Sequence, residues 1–305
     1  MTLTQLRYVL ALARHGSFGK AARHCLVAQP TLSIQIQKLE QELGVEIFDR
    51  RKNPVTLTEP GKKVEAHARR ILDEADSLLE EFSQESGEVR GRIRLGIIPT
   101  VSSYLLPRIF RKLKQKYPSV EFYIHELPTS QILQKIQNEE LDLGILATPL
   151  NEKMIEEIPL YYEPFVVYFA PEASIPRKRL KFDDLQGQDL LLLGEEHCFR
   201  HQSLKICGQG NAGKIECGSL DTIKKMVDQG MGSTLLPLLS ANMKSDRVVR
   251  FQDPEPVREI GIVHGKSFYK SRLLEALRET ILKNIPLDLH QQNKRKLIGA
   301  EDVLG

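Results

Sequence analysis

The chain has 305 residues, 41% of them apolar and 27% charged, a composition that builds a core in water. No run approaches about 18 uninterrupted apolar residues, which excludes a membrane-spanning helix, and 20 Gly with 16 Pro are too few for a collagen-like or wholly disordered chain. The net charge of +3 says little, but residues 1–70 carry 12 basic and 6 acidic side chains, whereas residues 71–90 carry one Arg and seven acids. A basic head beside an acidic segment suits a nucleic-acid module, and it equally fits an ordinary solvated surface. The opening Met1-Thr2-Leu3-Thr4-Gln5 lacks a basic segment leading into an apolar run, so a cytoplasmic protein without a secretory leader is expected.

Residues 5–82 read as helical with one interruption. Leu6, Val9, Leu10 and Ala13 recur at helical spacing, as do Leu32, Ile36, Leu39 and Leu43. Ser17 caps a short small-residue helix, Pro30 fits the start of the next, and Gly44 ends it. Arg50 to Pro54 reads as a polar hairpin tip. From Pro60 a long helix carries an apolar stripe through Val64, Ala68, Ile71, Leu72, Ala75, Leu78, Leu79 and Phe82, which predicts self-association. Residues 84–90 read as a linker. Beyond it, strands are expected at 92–98, 121–126, 143–147, 165–169, 190–193, 233–236 and 260–264, and helices at 102–115, 130–139, 219–229 and 268–283. The alternation predicts α/β lobes with parallel strands around a cleft. The polar tail from Leu287 onward reads as a frayed end or a surface helix. The expected division is a winged helix-turn-helix in residues 1–60, a linker or dimerisation helix in 61–88 and a two-lobed regulatory domain in 89–305.

Two short helices, a turn and a hairpin describe a winged helix-turn-helix. Thr31, Ser33, Gln35 and Lys38 carry groups that read base edges or meet phosphate. Arg50, Arg51 and Lys52 at the hairpin tip suit flanking phosphates or a minor groove. Phe18-x-x-Ala21-Ala22, Ala28-Gln29-Pro30-Thr31-Leu32-Ser33, Gln35-Ile36, Leu39-Glu40, Leu43-Gly44, Phe48-x-Arg50 and Leu57-Thr58-x-x-Gly61 closely resemble the LysR-type transcriptional regulators. The resemblance implies a winged helix-turn-helix, a long dimerising helix and an effector domain like the periplasmic binding proteins. It places Gln29, Pro30, Thr31, Ser33 and Gln35 at or near the major groove.

Four cysteines stand at Cys25, Cys198, Cys207 and Cys217. Cys25 reads as a small buried apolar residue. Cys198 follows the apolar run Leu190–Leu193, beside His197, Arg200 and His201, a setting expected to lower a thiol pKa. Nine helical steps separate Cα atoms by about 13 Å and an extended run by roughly 30 Å, against about 5.5 Å in a disulfide. A bond between Cys198 and Cys207 therefore requires the segment to bend or refold. Zinc at His197, Cys198, His201, Cys207 and Cys217, without a CxxC pair, and a plain metabolite pocket are the rival readings. Thr100 and Thr129, at the starts of predicted helices, read either as N-caps or as hydroxyls facing a ligand.

The stretch resembles the peroxide-sensing OxyR branch of the same family through Gly96-x-Ile98-Pro99-Thr100, Tyr104-Leu105-Leu106-Pro107, Glu126-x-x-Thr129, Gly194-x-x-His197-Cys198-x-Arg200 and Cys207. That resemblance implies that Cys198 meets peroxide and Cys207 resolves it, that Thr100, Thr129 and His197 position the peroxide, and that Arg200 stabilises the thiolate. An arginine common in the branch would fall at Gly265, and Cys217 is an extra thiol. The reading is a DNA-binding regulator, not an enzyme, that uses neither cofactor nor metal. Its implied partners are double-stranded DNA, hydrogen peroxide, further copies of itself as dimer or tetramer, RNA polymerase and a cellular thiol reductant. The alternatives are a LysR-type regulator answering to a small organic anion and a thiol peroxidase-like enzyme.

Overall fold

A computed structural model describes residues 1–82, 89–150, 152–175, 178–186, 188–208, 212–266, 268 and 270–300. The chain divides into two compact units, Met1–Gly87 and Glu88–Gly305. Most of the linker expected at 84–90 lies outside the described residues.

The first unit packs α1 (Leu3–His15), α2 (Phe18–His24) and α3 (Gln29–Leu43) beside a two-strand wing, β1 (Phe48–Asp49) and β2 (Thr56–Leu57), followed by α4 (Glu59–Phe82). Thr2 and Gln5 close a reciprocal capping box on α1. Leu6, Val9 and Leu12 of α1, Ala21 of α2, Leu32, Ile36 and Leu39 of α3, and Ala68 and Leu72 of α4 form one core. Gly61 is obligatory: a Cβ there would lie 2.0 Å from the Ile47 carbonyl oxygen, so only glycine lets α4 start against the wing. Of the α4 stripe, Ala68 and Leu72 are buried while Ile71 and Leu78 remain exposed.

The second unit has two lobes joined by continuous strands. Its large sheet runs in the order β4 (Val120–Glu126), β3 (Gly91–Ile97), β5 (Leu143–Thr148), β12 (Pro256–Gly265), β6 (Ile155–Tyr168), β11 (Val248–Phe251) and β7 (Arg179–Leu180). Strands β3, β4 and β5 are parallel, covered by α5 (Pro99–Lys116), α6 (Thr129–Gln137) and α9 (Ser271–Leu282). The second lobe adds β10 (Thr234–Pro237) to β6, and a separate parallel pair, β8 (Leu190–Leu193) and β9 (Ala212–Cys217), with α7 (Cys198–Cys207) and α8 (Leu220–Asp228). Each lobe has its own core, and α7 straddles the two: Cys198 belongs to the first, Cys207 to the second.

Several elements depart from expectation, among them the unexpected strands β7 and β11. Strand β6 begins ten residues before the expected 165–169; its Pro159 stands at a register shift opposite Ile260 and Gly261, so the missing N–H falls where the ladder is already broken. Strand β9 and helix α7 appear where neither was expected. Within residues 287–300 the tail is neither frayed nor a surface helix: β13 (Lys296–Leu297) pairs with β12, and Leu289, Ile298 and Ala300 are buried. Gln202 Nε2 and Lys205 Nζ on α7 donate to the Ile298 and Gly299 carbonyls at 2.8 and 3.2 Å.

Candidate functional site

The first turns of three helices meet around one narrow crevice. Its walls are residues 98–100 from the start of α5, 128–129 from the start of α6 and 196–198 from the start of α7. The three segments pack closely about it, leaving a narrow cleft with no water-sized cavity between its walls. Helix N-termini present N–H groups and the positive end of the helix dipole, so three aimed at one point favour an anion or a developing negative charge there.

Neither threonine is an N-cap. Ile98 and Pro128 occupy those positions, and both hydroxyls are left for the crevice. Thr100 Oγ1 accepts from Arg258 Nη1 at 2.9 Å. Buried Thr129 Oγ1 has no hydrogen-bond partner of ordinary geometry and faces the Cys198 sulfur, where it favours the thiolate. His197 is the N-cap residue of α7, buried, with Nε2 3.4 Å from the Glu196 carboxylate. Cys198 is the first residue of α7 and only 3% exposed.

The thiol does not have the lowered pKa its basic neighbours suggest. Burial pushes it above the ordinary thiol value, and Arg258, Thr129 and the N–H groups of residues 198 and 199 pull it back only in part. Arg200 is not the cation beside it: one Nη donates to the Leu193 carbonyl at 3.0 Å and the other pairs with Glu216 at 2.7 Å. His201 lies outside the crevice walls. The cation acting on the sulfur is Arg258, which the sequence did not single out. Gly265, seven residues further along β12, is about 23 Å from it at strand spacing, so an arginine at 265 would not stand in this crevice.

Arg258 is completely buried and ion-paired with equally buried Glu163 at 2.8 Å. Its Nε also donates to Glu163, its Nη2 to the Thr100 carbonyl, and its guanidinium lies 5.0 Å from the centroid of the Phe199 ring. Burial alone would lower this guanidinium's pKa; the Glu163 carboxylate more than offsets it and holds the pKa above the ordinary arginine value. Neither residue stands out in the sequence: Arg258 is followed by Glu259 in β12, and Glu163 shares β6 with Glu156 and Glu157.

The second thiol is at the opposite end of α7. Cys207 is 5% exposed, and burial raises its pKa. Cys217 ends β9 half-buried, with Sγ 3.4 Å from Met226 Sδ; all four cysteines are free thiols. Among the described residues no group of three or more His, Cys, Asp or Glu stands close enough to hold a metal ion.

In the first unit, Gln29, Pro30, Thr31 and Lys38 are exposed on α3, while Ser33 and Gln35 are half-buried and Gln35 accepts from Gln5 Nε2 at 3.2 Å. At the wing, Arg51 and Lys52 reach into solvent, each within 4.0 Å of Asp49. Arg50 is tied down instead: it pairs with Glu40 of α3 at 2.6 Å and lies over the Phe18 ring.

An N-terminal winged helix-turn-helix ahead of a two-lobed unit with an interlobe crevice defines the class. The chain belongs to the LysR family of bacterial regulators: residues 3–62 match the lysR-family bacterial regulatory helix-turn-helix protein, and residues 86–286 match the LysR substrate binding domain. It is a family of transcription factors, not enzymes. Within it, the chain is closely related to the OxyR branch. It is 38% identical over 289 residues to the DNA-binding transcriptional dual regulator OxyR of Escherichia coli, covering 92% of this chain and 95% of that one. It is 36% identical over 293 residues to a hydrogen peroxide-inducible genes activator of Pectobacterium carotovorum, covering 93% and 97%. Among solved structures it resembles full-length OxyR of Pseudomonas aeruginosa bearing a cysteine-to-aspartate change, with TM-score 0.75 and 36% identity over 92% of this chain and 94% of that one. A peroxide-bound cysteine-to-serine OxyR of Corynebacterium glutamicum gives TM-score 0.63 and 30% identity over 93% and 92%. No helix among the described residues is long and apolar enough to cross a membrane.

Proposed function

We propose that this chain is a DNA-binding transcriptional regulator that senses hydrogen peroxide through Cys198 and records it as a Cys198–Cys207 disulfide. The observation that carries this reading is one buried thiol facing the Thr129 hydroxyl and the Arg258 guanidinium, in a crevice that Thr100 and His197 also line, where three helix N-termini converge. Peroxide is the smallest of the candidate ligands, and its departing oxygen needs hydrogen-bond donors and positive charge. The Cys198 sulfur attacks one oxygen, the O–O bond breaks, and the other oxygen leaves as water with the thiol proton. The resulting sulfenic acid is attacked by Cys207, which expels a second water and leaves the disulfide.

Helix α7 begins at Cys198 and ends at Cys207, nine residue steps that hold the Cα atoms about 13.5 Å apart. A disulfide requires about 5.5 Å, so α7 must unwind. Since α7 bridges both cores, its unwinding changes the surface around each lobe. A small organic anion fits less well, because the residues lining the crevice pack too closely to leave the roughly 300–1,000 Å³ that pockets for such ligands enclose. A thiol peroxidase has no use for the winged unit.

DNA is read by α3 in the major groove through Gln29, Pro30, Thr31, Ser33, Gln35 and Lys38, with Arg51 and Lys52 on flanking phosphates. Self-association through α4 pairs two such heads, RNA polymerase is the partner in transcription, and a thiol reductant resets the disulfide. The decisive experiment is peptide mapping of the reduced protein after about one equivalent of peroxide, beside Cys198→Ser. Loss of two hydrogens across Cys198 and Cys207, absent in the variant, is the expected result; unreactive thiols would refute it.

A further inference from the structure

Behind the crevice wall, Glu163 gathers four donors in a fully buried place. Arg258 Nε at 3.0 Å, Arg258 Nη2 at 2.8 Å and the Tyr104 hydroxyl at 2.9 Å converge on Oε2, while the Leu239 N–H donates to Oε1 at 3.0 Å. Tyr104 has a single proton and gives it to Glu163, so in its 2.6 Å contact with Tyr161 the Tyr161 hydroxyl is the donor. Burial first, and the Glu163 carboxylate second, hold both phenols above their ordinary pKa and keep them protonated. A buried ion pair recovers little net stability against the desolvation of both partners, so this network asks for a purpose in the site.

The geometry supplies one. With Nε and Nη2 held on Glu163, Arg258 has Nη1 left to reach Thr100 Oγ1 at 2.9 Å. A hydroxyl that accepts from a guanidinium directs its own proton elsewhere, and Thr100 lines the crevice. We propose that Glu163 is a positioning residue for the reaction of Cys198 with peroxide: it aims Arg258 at Thr100, and so aims the Thr100 O–H at the oxygen that leaves as water. This rests on the crevice being the peroxide site. As the S–O bond forms and the O–O bond breaks, sulfur gives up two electrons; Thr100 supplies a hydrogen bond and keeps its proton. Glu163 acts only through Arg258 and never meets peroxide.

The groups facing the thiol are Arg258 from β12 and Thr129 from α6, with His197 next to it in the chain; those facing Glu163 are Arg258, Tyr104 from α5 and Tyr161 on its own strand. The test compares two reagents on the reduced full-length protein. Hydrogen peroxide needs a donor at its departing oxygen, whereas iodoacetamide reports only thiolate population and access. Glu163→Gln keeps the shape but offers one oxygen where two sets of donors need acceptors. The peroxide-to-iodoacetamide rate ratio at Cys198 is expected to fall at least about tenfold, as a misaligned reacting group does. The pH midpoint of alkylation moves down, because Arg258 has lost its counter-charge. Tyr104→Phe removes one brace without changing charge; it lowers the ratio by a smaller factor and leaves the midpoint in place. A folded Glu163→Gln protein with the wild-type ratio overturns the proposal; if that variant does not fold, a wild-type ratio in Tyr104→Phe overturns it. A wild-type Cys198 that reacts no faster with peroxide than with iodoacetamide overturns the peroxide reading itself, which separates the two failures.

Discussion

Ending the chain at Arg295 removes β13 and the buried Ile298 and Ala300, and with them the two bonds that tie the tail to α7. In the reduced protein Gln202 and Lys205 donate to the Ile298 and Gly299 carbonyls, and Ile298 shares a core with Ile206 and Cys207. These contacts depend on α7 being helical, and a Cys198–Cys207 disulfide forbids that helix. They therefore stabilise only the dithiol state. Two hydrogen bonds at about 0.5–1.5 kcal/mol each give roughly 1–3 kcal/mol, with the exposed lysine at the lower end. That is about 5- to 150-fold in the dithiol–disulfide equilibrium at 1.4 kcal/mol per tenfold, or about 20–65 mV at 29.6 mV per tenfold. Without the tail, disulfide formation no longer has to break these contacts, so the reduction potential moves to more negative values. The assay is a glutathione redox titration of the full-length and shortened proteins, with free thiols trapped by alkylation and counted by mass. A shortened protein that keeps its helical circular dichroism and shows a potential unchanged within about 10 mV, or shifted to more positive values, refutes the coupling of tail to helix.

Arg258→Met strands the buried Glu163 charge and should cost about 3–5 kcal/mol, read by calorimetry because the chain has no tryptophan; adding Glu163→Gln should recover part of the loss, and equal losses in single and double variants would contradict the pairing. At the wing, Arg51→Ala and Lys52→Ala should each weaken DNA binding and lower the salt slope by about 1, whereas Arg50→Ala should chiefly loosen the wing from Glu40 and Phe18 and lower the melting temperature. The folded pKa values of Cys198 and Cys207 lie above their unfolded values, so their contribution to stability is whole below the unfolded thiol value and is lost as pH rises through the folded one. Denaturant titrations should therefore show reduced protein losing stability above about pH 9 more steeply than a Cys198→Ser, Cys207→Ser double variant; parallel curves would show that the thiols are not perturbed.

The helix-turn-helix was legible because its stripes are clean: Leu32, Ile36 and Leu39 are apolar, helically spaced and fully buried. Helix α7 was not, although its inward face also keeps helical spacing. Phe199, Gln202, Ser203 and Ile206 are all buried, but two of the four are polar, so the periodicity of apolar residues disappears. The tail misled for the same reason, its few buried side chains being scattered among Gln, Asn, Lys and Arg. Cys198 stood out by its basic neighbours and Thr100 and Thr129 by their places at helix starts, with their roles supplied by family resemblance, and the structure sets all three around one crevice. Arg258 was missed because a charge between Val257 and Glu259 reads as a solvent-facing strand position. Its partner Glu163 lies 95 residues away, and nothing local announces a pairing across that distance.

Strands β6 and β12 pass between the lobes as long, mutually paired ribbons, with the one irregularity in their ladder at Ile260 and Gly261. The two lobes share one hydrogen-bonded pair of strands as their common support. On the proposed function, an input at Cys198 would be conveyed by local remodelling around α7, with the paired strands as a reference. The parts free to carry the message are those leaning on α7: strand β8, the turn at Phe182–Leu185 and the C-terminal tail. Signal and scaffold are thus separate pieces of one fold, and the scaffold can be stiffened without muting the signal.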